Sequence, residues 1–200
     1  MQLTRRLLRS DTSVDDKILG IVERLGQAHR SFLQDLATRY GLTPLQVQVI
    51  SALGEGPPPM PYVGDIAREL GITQPSASDA VAALEAKGYV SRVVDTQDRR
   101  RVALGLTEAG EELDRRLVRD RSILRSALAA IPEEHHETLL EAMQRLLTTM
   151  SNAGVVSQAR NCYTCRHFDV EPAGYRCNAY QETLLAAELR VNCADHGART

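Results

Sequence analysis

From residue 14 to 38 apolar side chains recur at alternating intervals of four and three, at Val14, Ile18, Ile21, Leu25, Ala28 and Phe32, with Leu36 one turn on. Asp15, Asp16, Glu23, Arg24 and Arg30 fill the other faces, so the pattern predicts a long amphipathic helix. Such a seam suits packing against another long helix, in the same chain or in a partner. Gly41 is placed to end this helix, and Thr43-Pro44 to open the next as N-cap and first helical residue. Leu45, Val49, Ile50 and Leu53 line one face of that short second helix.

Residues 54–61 (Gly-Glu-Gly-Pro-Pro-Pro-Met-Pro) cannot be helical, because proline removes a backbone donor and fixes φ. Val63 to Leu70 predicts a third helix with Ile66, Ala67 and Leu70 inward, stopped by Gly71. Thr73 caps a fourth, which tolerates Pro75 in its first turn and runs to about Lys87, with Ala77, Ala80, Val81 and Leu84 as its inner face. Gly88 terminates it. Tyr89–Val94 and Val102–Leu106 are strand-like runs around the charged segment Asp95 to Arg101, which predicts a hairpin.

Thr107 with Glu108 starts a long helix with Leu113, Leu117, Leu124 and Leu128 on one face, broken by Pro132. A last helix over about 133–150 carries Leu139, Met143, Leu146, Leu147 and Met150, and Ser151-Asn152-Ala153-Gly154 reads as a hinge. Beyond it, Leu184, Leu185 and Leu189 predict a helix from Gln181 to Arg190. There is no internal repeat.

The 43% hydrophobic content of this 200-residue chain is enough for a core, but aromatics make up only 4%, so aliphatic side chains carry the packing. A net charge of −2 gives no global basic signal, and a nucleic-acid partner would need a local positive surface. The N-terminal residues lack the apolar stretch of a signal peptide, and no run approaches the ~20 apolar residues of a membrane-spanning helix. The expected location is the cytoplasm, with no membrane partner.

Two short helices joined by a Gly-containing turn form the helix-turn-helix arrangement, whose second helix enters the major groove by its N-terminal residues. Gln74, Ser76, Ser78 and Asp79 are the exposed candidates: Gln can pair bidentately with adenine, and Ser binds bases or phosphates. The hairpin would be a wing. Arg99, Arg100 and Arg101 at its tip can reach phosphates or a narrow minor groove, and Arg92 on its first strand joins the DNA-binding set. A Gly turn between helices, or an arginine run at a hairpin tip, is weak evidence alone. Their succession in one order is much more specific.

The stretches Leu42 to Gln46, Asp65 to Ser78, Leu84 to Arg92 and Asp98 to Gly110 carry a family likeness: residues 14–150 resemble a MarR-family winged-helix regulator. The resemblance implies a homodimer built from the first and last two helices of the domain, repressing genes from a pseudo-palindromic double-stranded operator. It also implies that Asp98 orients a wing arginine, Arg100, towards the minor groove. Family members often hold a small aromatic or phenolic effector between dimer core and winged helix, where His29 and Arg30 are candidate linings. Asp79, the proline-rich loop and everything after residue 150 depart from the family pattern; Asp79 would either turn inward or select against some sequences.

All four cysteines lie in that last segment: Cys162 and Cys165 two residues apart, then gaps of eleven and fifteen to Cys177 and Cys193. In a reducing compartment, four soft ligands in so short a stretch point to metal rather than to a disulfide framework. Four thiolates satisfy a structural zinc, which would fold a segment with little core beyond Phe168, Tyr163, Tyr175, Tyr180 and the nearby leucines. The spacing also admits an iron–sulfur cluster, and a thiol switch between Cys162 and Cys165. His167 or His196 could replace one thiolate. Four unrelated buried cysteines are the bland alternative.

The expected fold is mainly α with a small β-hairpin wing: a winged helix-turn-helix within a helical dimerisation domain, plus a small four-cysteine metal module. Its parts are an arm (1–13), the regulator domain (14–150, winged helix about 44–106), a linker (151–160) and the cysteine segment (161–200). No nucleophile triad, phosphate loop or carboxylate pair appears, and four cysteines would leave no open position on a zinc, so an enzyme is not expected. A winged helix that serves protein interaction without reading DNA is the remaining class.

Overall fold

The computed structural model describes residues 13–54, 62–94, 102–156, 160–172, 174–193 and 195–199. The chain divides into two compact units between Gln48 and Val49. In the first, helix α1 (Val14–Tyr40) starts at a capping box in which Ser13 and Asp16 satisfy each other's backbone amides, and it ends at Gly41 with φ 64°. Its buried face is Leu33, Leu36 and Ala37, whereas the N-terminal part of the seam stands open: Val14, Ile18, Ile21 and Leu25 are each 47–69% exposed. Helix α2 (Pro44–Gly54) opens on a second reciprocal cap, Thr43 with Gln46, both bonds 3.2 Å.

The second unit holds the winged helix and the cysteine segment. Helix α3 (Val63–Leu70) ends at Gly71, φ 64°, and the Ile72 amide donates to the Ala67 carbonyl at 2.9 Å. Helix α4 (Gln74–Ala86) follows with Thr73 as N-cap, its hydroxyl accepting from the Ser76 amide at 3.3 Å. Ala77, Ala80, Val81 and Leu84 are buried, as the periodicity predicts. Strands β1 (Val90–Val94) and β2 (Val102–Leu106) pair antiparallel, in register from Val90 opposite Leu106 to Val94 opposite Val102. Their far ends lead to residues 95–101, which lie outside the described residues, as does the proline-rich 55–61 stretch.

Helix α5 (Glu108–Asp120) is locked to the base of this hairpin. The Thr107 hydroxyl donates to the Gly88 carbonyl at 2.6 Å and caps α5 through the Gly110 amide. A Cβ on Gly110 would stand 2.0 Å from the Tyr89 carbonyl oxygen, so only glycine permits this approach. The single long helix expected here is in fact two. At Arg121, ψ rises to −10° and the Leu124 amide bonds three residues back, a tightened turn that separates α5 from α6 (Ser122–Leu128). The predicted leucine face splits accordingly: Leu113 and Leu117 are buried, but Leu124 and Leu128 are about half exposed.

After Pro132 and a 3₁₀ turn, helix α7 runs from His136 to Asn152 and stops at Gly154, φ 72°. The cysteine segment then forms a three-stranded antiparallel sheet, β3 (Phe168–Glu171), β4 (Gly174–Cys177) and β5 (Glu182–Leu184), ordered β3-β4-β5. The helix expected over Gln181–Arg190 is therefore β5 and a 3₁₀ turn at Ala186–Glu188. Strand pairing wins because Leu184 sits opposite Tyr175 and both are buried, an arrangement that helical spacing would break. Phe168, Tyr175, Leu184 and Leu189 pack with Cys162 and Cys165 into a small core. Among the described residues no helix is long and apolar enough to cross a membrane.

Candidate nucleic-acid interface and thiolate site

With its apolar face buried, α4 turns the other face of its first turns outward. Gln74, Ser76 and Asp79 are exposed and Ser78 is half-buried. Ser76 is also tied to the cap, 2.8 Å from the Thr73 hydroxyl, so its side chain is preset. Because Asp79 is exposed, it does not turn inward, and its charge faces whatever α4 meets. Arg92 on β1 donates to Glu85 at 2.9 Å, a pair that would have to open or tilt before the guanidinium reached a phosphate. Asp98, Arg99, Arg100 and Arg101 lie outside the described residues.

The fold brings all four cysteines to one place. Cys162, Cys165, Cys177 and Cys193 line a single cavity of about 20 Å³, with His167, Phe168, Tyr180, Leu184 and Arg190 completing the wall. Cys162 and Cys165 flank a 3₁₀ turn capped by Asn161, Cys177 ends β4, and Cys193 follows the last turn. Cys162, Cys165 and Cys193 are buried, Cys177 half-buried, and all four are free thiols. The Cys162 sulfur accepts from the Arg190 amide at 3.2 Å, and the Arg190 guanidinium lies 3.9 Å from the Cys193 sulfur. Burial pushes the Cys162 thiol up, as do the three neighbouring thiols, against the opposing pull of the Arg190 amide. Among the described residues, no three His, Cys, Asp or Glu side chains are already arranged to hold an ion, so the thiols would have to close upon it.

The two histidines part company. His167 stands at the cavity, with its Nε2 3.1 Å from Arg166 Nε, while His196 bonds the Thr164 hydroxyl at 2.9 Å and is not part of the lining. Burial lowers the His196 pKa.

The residues that seat the segment carried no sequence signal. Asn161, wholly buried, caps the Cys162 turn and bonds to α7; Arg160 and Asn192 reach Glu69 on α3. A separate open cavity of about 370 Å³ lies between the end of α7 and this segment, lined by Ser151, Asn152, Tyr163, Thr164 and Arg199. It is not where the resemblance places an effector, and His29 and Arg30 are exposed on α1.

Helix-turn-helix followed by a paired hairpin and an anchored helix defines a winged-helix domain. Residues 40–101 match the family model described as MarR family. Solved structures of the same fold include the S. aureus MepR–DNA complex, 22% identical, covering 65% of this chain and 95% of that one with a TM-score of 0.56. Streptococcus pneumoniae FabT in complex with DNA is 21% identical, with coverages of 70% and 96% and a TM-score of 0.56. The transcriptional regulator SlyA is 21% identical, with coverages of 68% and 95% and a TM-score of 0.58. No curated protein sequence matches the chain.

Proposed function

We propose that the chain is a dimeric DNA-binding transcriptional regulator, acting as a repressor, with a metal bound by its cysteine segment. One observation carries the DNA reading: α4 is fixed by its buried face and by Thr73, and it presents Gln74 and Ser76 outward; the sequence that joins β1 to β2 adds Arg99, Arg100 and Arg101. Helix termini offered this way suit the major groove, and a basic tip suits phosphates or the minor groove. The fold neighbours solved with DNA, MepR and FabT, support the same reading. Exposed apolar side chains on α1, and separately Val118, Ile123, Leu124 and Leu128 on α5 and α6, support a second copy as partner. Enrichment of a duplex from a random pool, followed by gel shift, tests this; a pool from which no two-fold-related half-sites emerge would sink it.

The donor set supports zinc as the metal. Cys162, Cys165, Cys177 and Cys193 would hold it, and their cavity of about 20 Å³ has room for roughly one water-sized body. Bound by four thiolates, zinc supplies cohesion rather than catalysis. Elemental analysis with a visible spectrum of protein purified without oxygen decides: one colourless zinc per chain supports the assignment, and iron with sulfide and absorption near 400 nm replaces it by the cluster.

A further inference from the structure

Glu69, the penultimate residue of α3, gives both carboxylate oxygens to the cysteine segment. Oε2 accepts from Arg160 Nη1 at 3.4 Å and Oε1 accepts from Asn192 Nδ2 at 2.6 Å, across 91 and 123 residues of sequence. Both donors adjoin thiols. Arg160 precedes Cys162 by two residues and Asn192 precedes Cys193 by one. Arg160 and Cys193 are in turn clasped together: Arg160 Nη2 donates to the Cys193 carbonyl at 2.7 Å, and the Cys193 amide donates to the Arg160 carbonyl at 2.9 Å. Glu69 is also a residue that α3 would not choose for itself, since a carboxylate in the last turn opposes the helix dipole. Arg68, the basic residue of that turn, bonds Asp65 at 3.2 Å, and the cation on Glu69 comes from Arg160. Four residues after Glu69 stands Thr73, the cap of α4.

We propose that Glu69 is the post through which the thiol site is read by the helix-turn-helix. An ion that holds Cys162 and Cys193 together keeps Arg160 and Asn192 converged on Glu69, which fixes the end of α3 and the turn into α4. When the ion leaves, the two ends separate, Glu69 faces the helix dipole alone, and the turn that aims α4 loosens. This rests on the proposed binding of one zinc by the four cysteines.

Hydrogen exchange of the full chain, zinc-loaded and chelator-stripped, tests it together with zinc content. Amides over residues 63–72 should exchange about tenfold more slowly in the loaded wild type. Glu69→Ala should keep one zinc per chain and lose that difference, and Glu69→Gln, which keeps the shape, should retain part of it. Affinity for a duplex selected from a random pool should change about tenfold on stripping the wild type, a coupling of the usual allosteric size, and not in Glu69→Ala. Equal α3 exchange in loaded and stripped wild type overturns the proposal, as does a zinc response that survives in Glu69→Ala, or unchanged DNA affinity. A wild type that takes up no zinc overturns the metal assignment itself, which the zinc content reveals separately.

Discussion

Asn161 donates through Nδ2 to the main-chain carbonyl of Gln144 at 3.4 Å, and it does so with no exposure to solvent. The same side chain bonds Thr148 Oγ1 at 3.2 Å and accepts from the Thr164 amide at 3.0 Å, so one amide both caps the turn between Cys162 and Cys165 and fastens it to α7. Asn161→Ala removes the side-chain bonds to Gln144, Thr148 and Thr164 and leaves a void, and should cost about 2 kcal/mol. Urea midpoints of the two proteins measure it; a loss under about 0.5 kcal/mol, the scale of an ordinary surface change, would mean that the anchor lies elsewhere.

Gln74→Ala should cost about 1–3 kcal/mol at one base pair and little elsewhere, because a side chain at the start of α4 reads an edge rather than the backbone. Arg100→Ala should weaken binding by a similar amount, and if Arg100 contacts a phosphate it should also flatten the salt dependence. Fluorescence anisotropy on the selected duplex and its single-base variants, at several salt concentrations, separates the two. Equal binding by Gln74→Ala across every variant would remove that residue from recognition.

Substitution of any one of the four cysteines by serine should remove the zinc, whereas the helical circular dichroism of α1–α7 should stay nearly unchanged. The cysteine segment has only a small core of its own, so with zinc as the proposed metal its order should depend on the ion. Near-ultraviolet signals of Tyr163, Tyr175 and Tyr180 should fade on chelation, and full retention of those signals would show a self-sufficient fold. Zinc binding requires thiolates and burial raises the Cys162 pKa, so affinity should climb as pH rises towards the thiol range.

Much of the winged helix was legible in the sequence, because its stop signals are local. Gly41 and Gly71 adopt left-handed conformations and Thr73 and Thr107 cap as their positions suggest; each answers to chemistry within about four residues. The cysteine segment resisted this reading. Leu184, Leu185 and Leu189 have helical spacing, but the alternative partner for Leu184 is Tyr175, and a cross-strand contact leaves no periodic trace. The break at Arg121 has no proline or glycine to announce it, and Glu69, Arg160 and Asn192 look like ordinary surface residues until the chain folds. The grouping of the four thiols in one cavity follows the spacing, whereas the spacing alone admits zinc, an iron–sulfur cluster or a thiol switch.

Asp114→Asn should stabilise the protein at neutral pH. Burial holds the Asp114 carboxyl above its usual pKa, with Arg121 and Arg115 pulling the other way. A raised carboxyl favours folding in its protonated form, so its contribution is full below the unfolded pKa and is lost as pH rises through the folded one. The amide avoids that loss. The gain should be about 0.5 kcal/mol at pH 7 and vanish below roughly pH 3. Thermal melts of both proteins across this range check it, and a gain that grows towards acid would reverse the assignment.

Ile21→Asp should split the proposed dimer. On α1, Ile18, Ile21 and Leu25 stand 47%, 57% and 56% exposed on successive turns of one seam, a face that solvent alone does not favour. In a two-copy assembly that seam would lie buried, and each aliphatic side chain would contribute about 1.5–3 kcal/mol. Replacing one by a carboxylate removes that burial and adds a desolvated charge, for a loss of at least about 2 kcal/mol, or roughly 30-fold in the dimer dissociation constant. Sedimentation velocity over a dilution series measures the shift. Arg24→Asp, on the polar face of the same helix, should leave the mass unchanged and separates a lost interface from a general charge effect. If Ile21→Asp sediments like the wild type at every concentration, the α1 seam is not the interface, and the exposed leucines of α5 and α6 become the next surface to test.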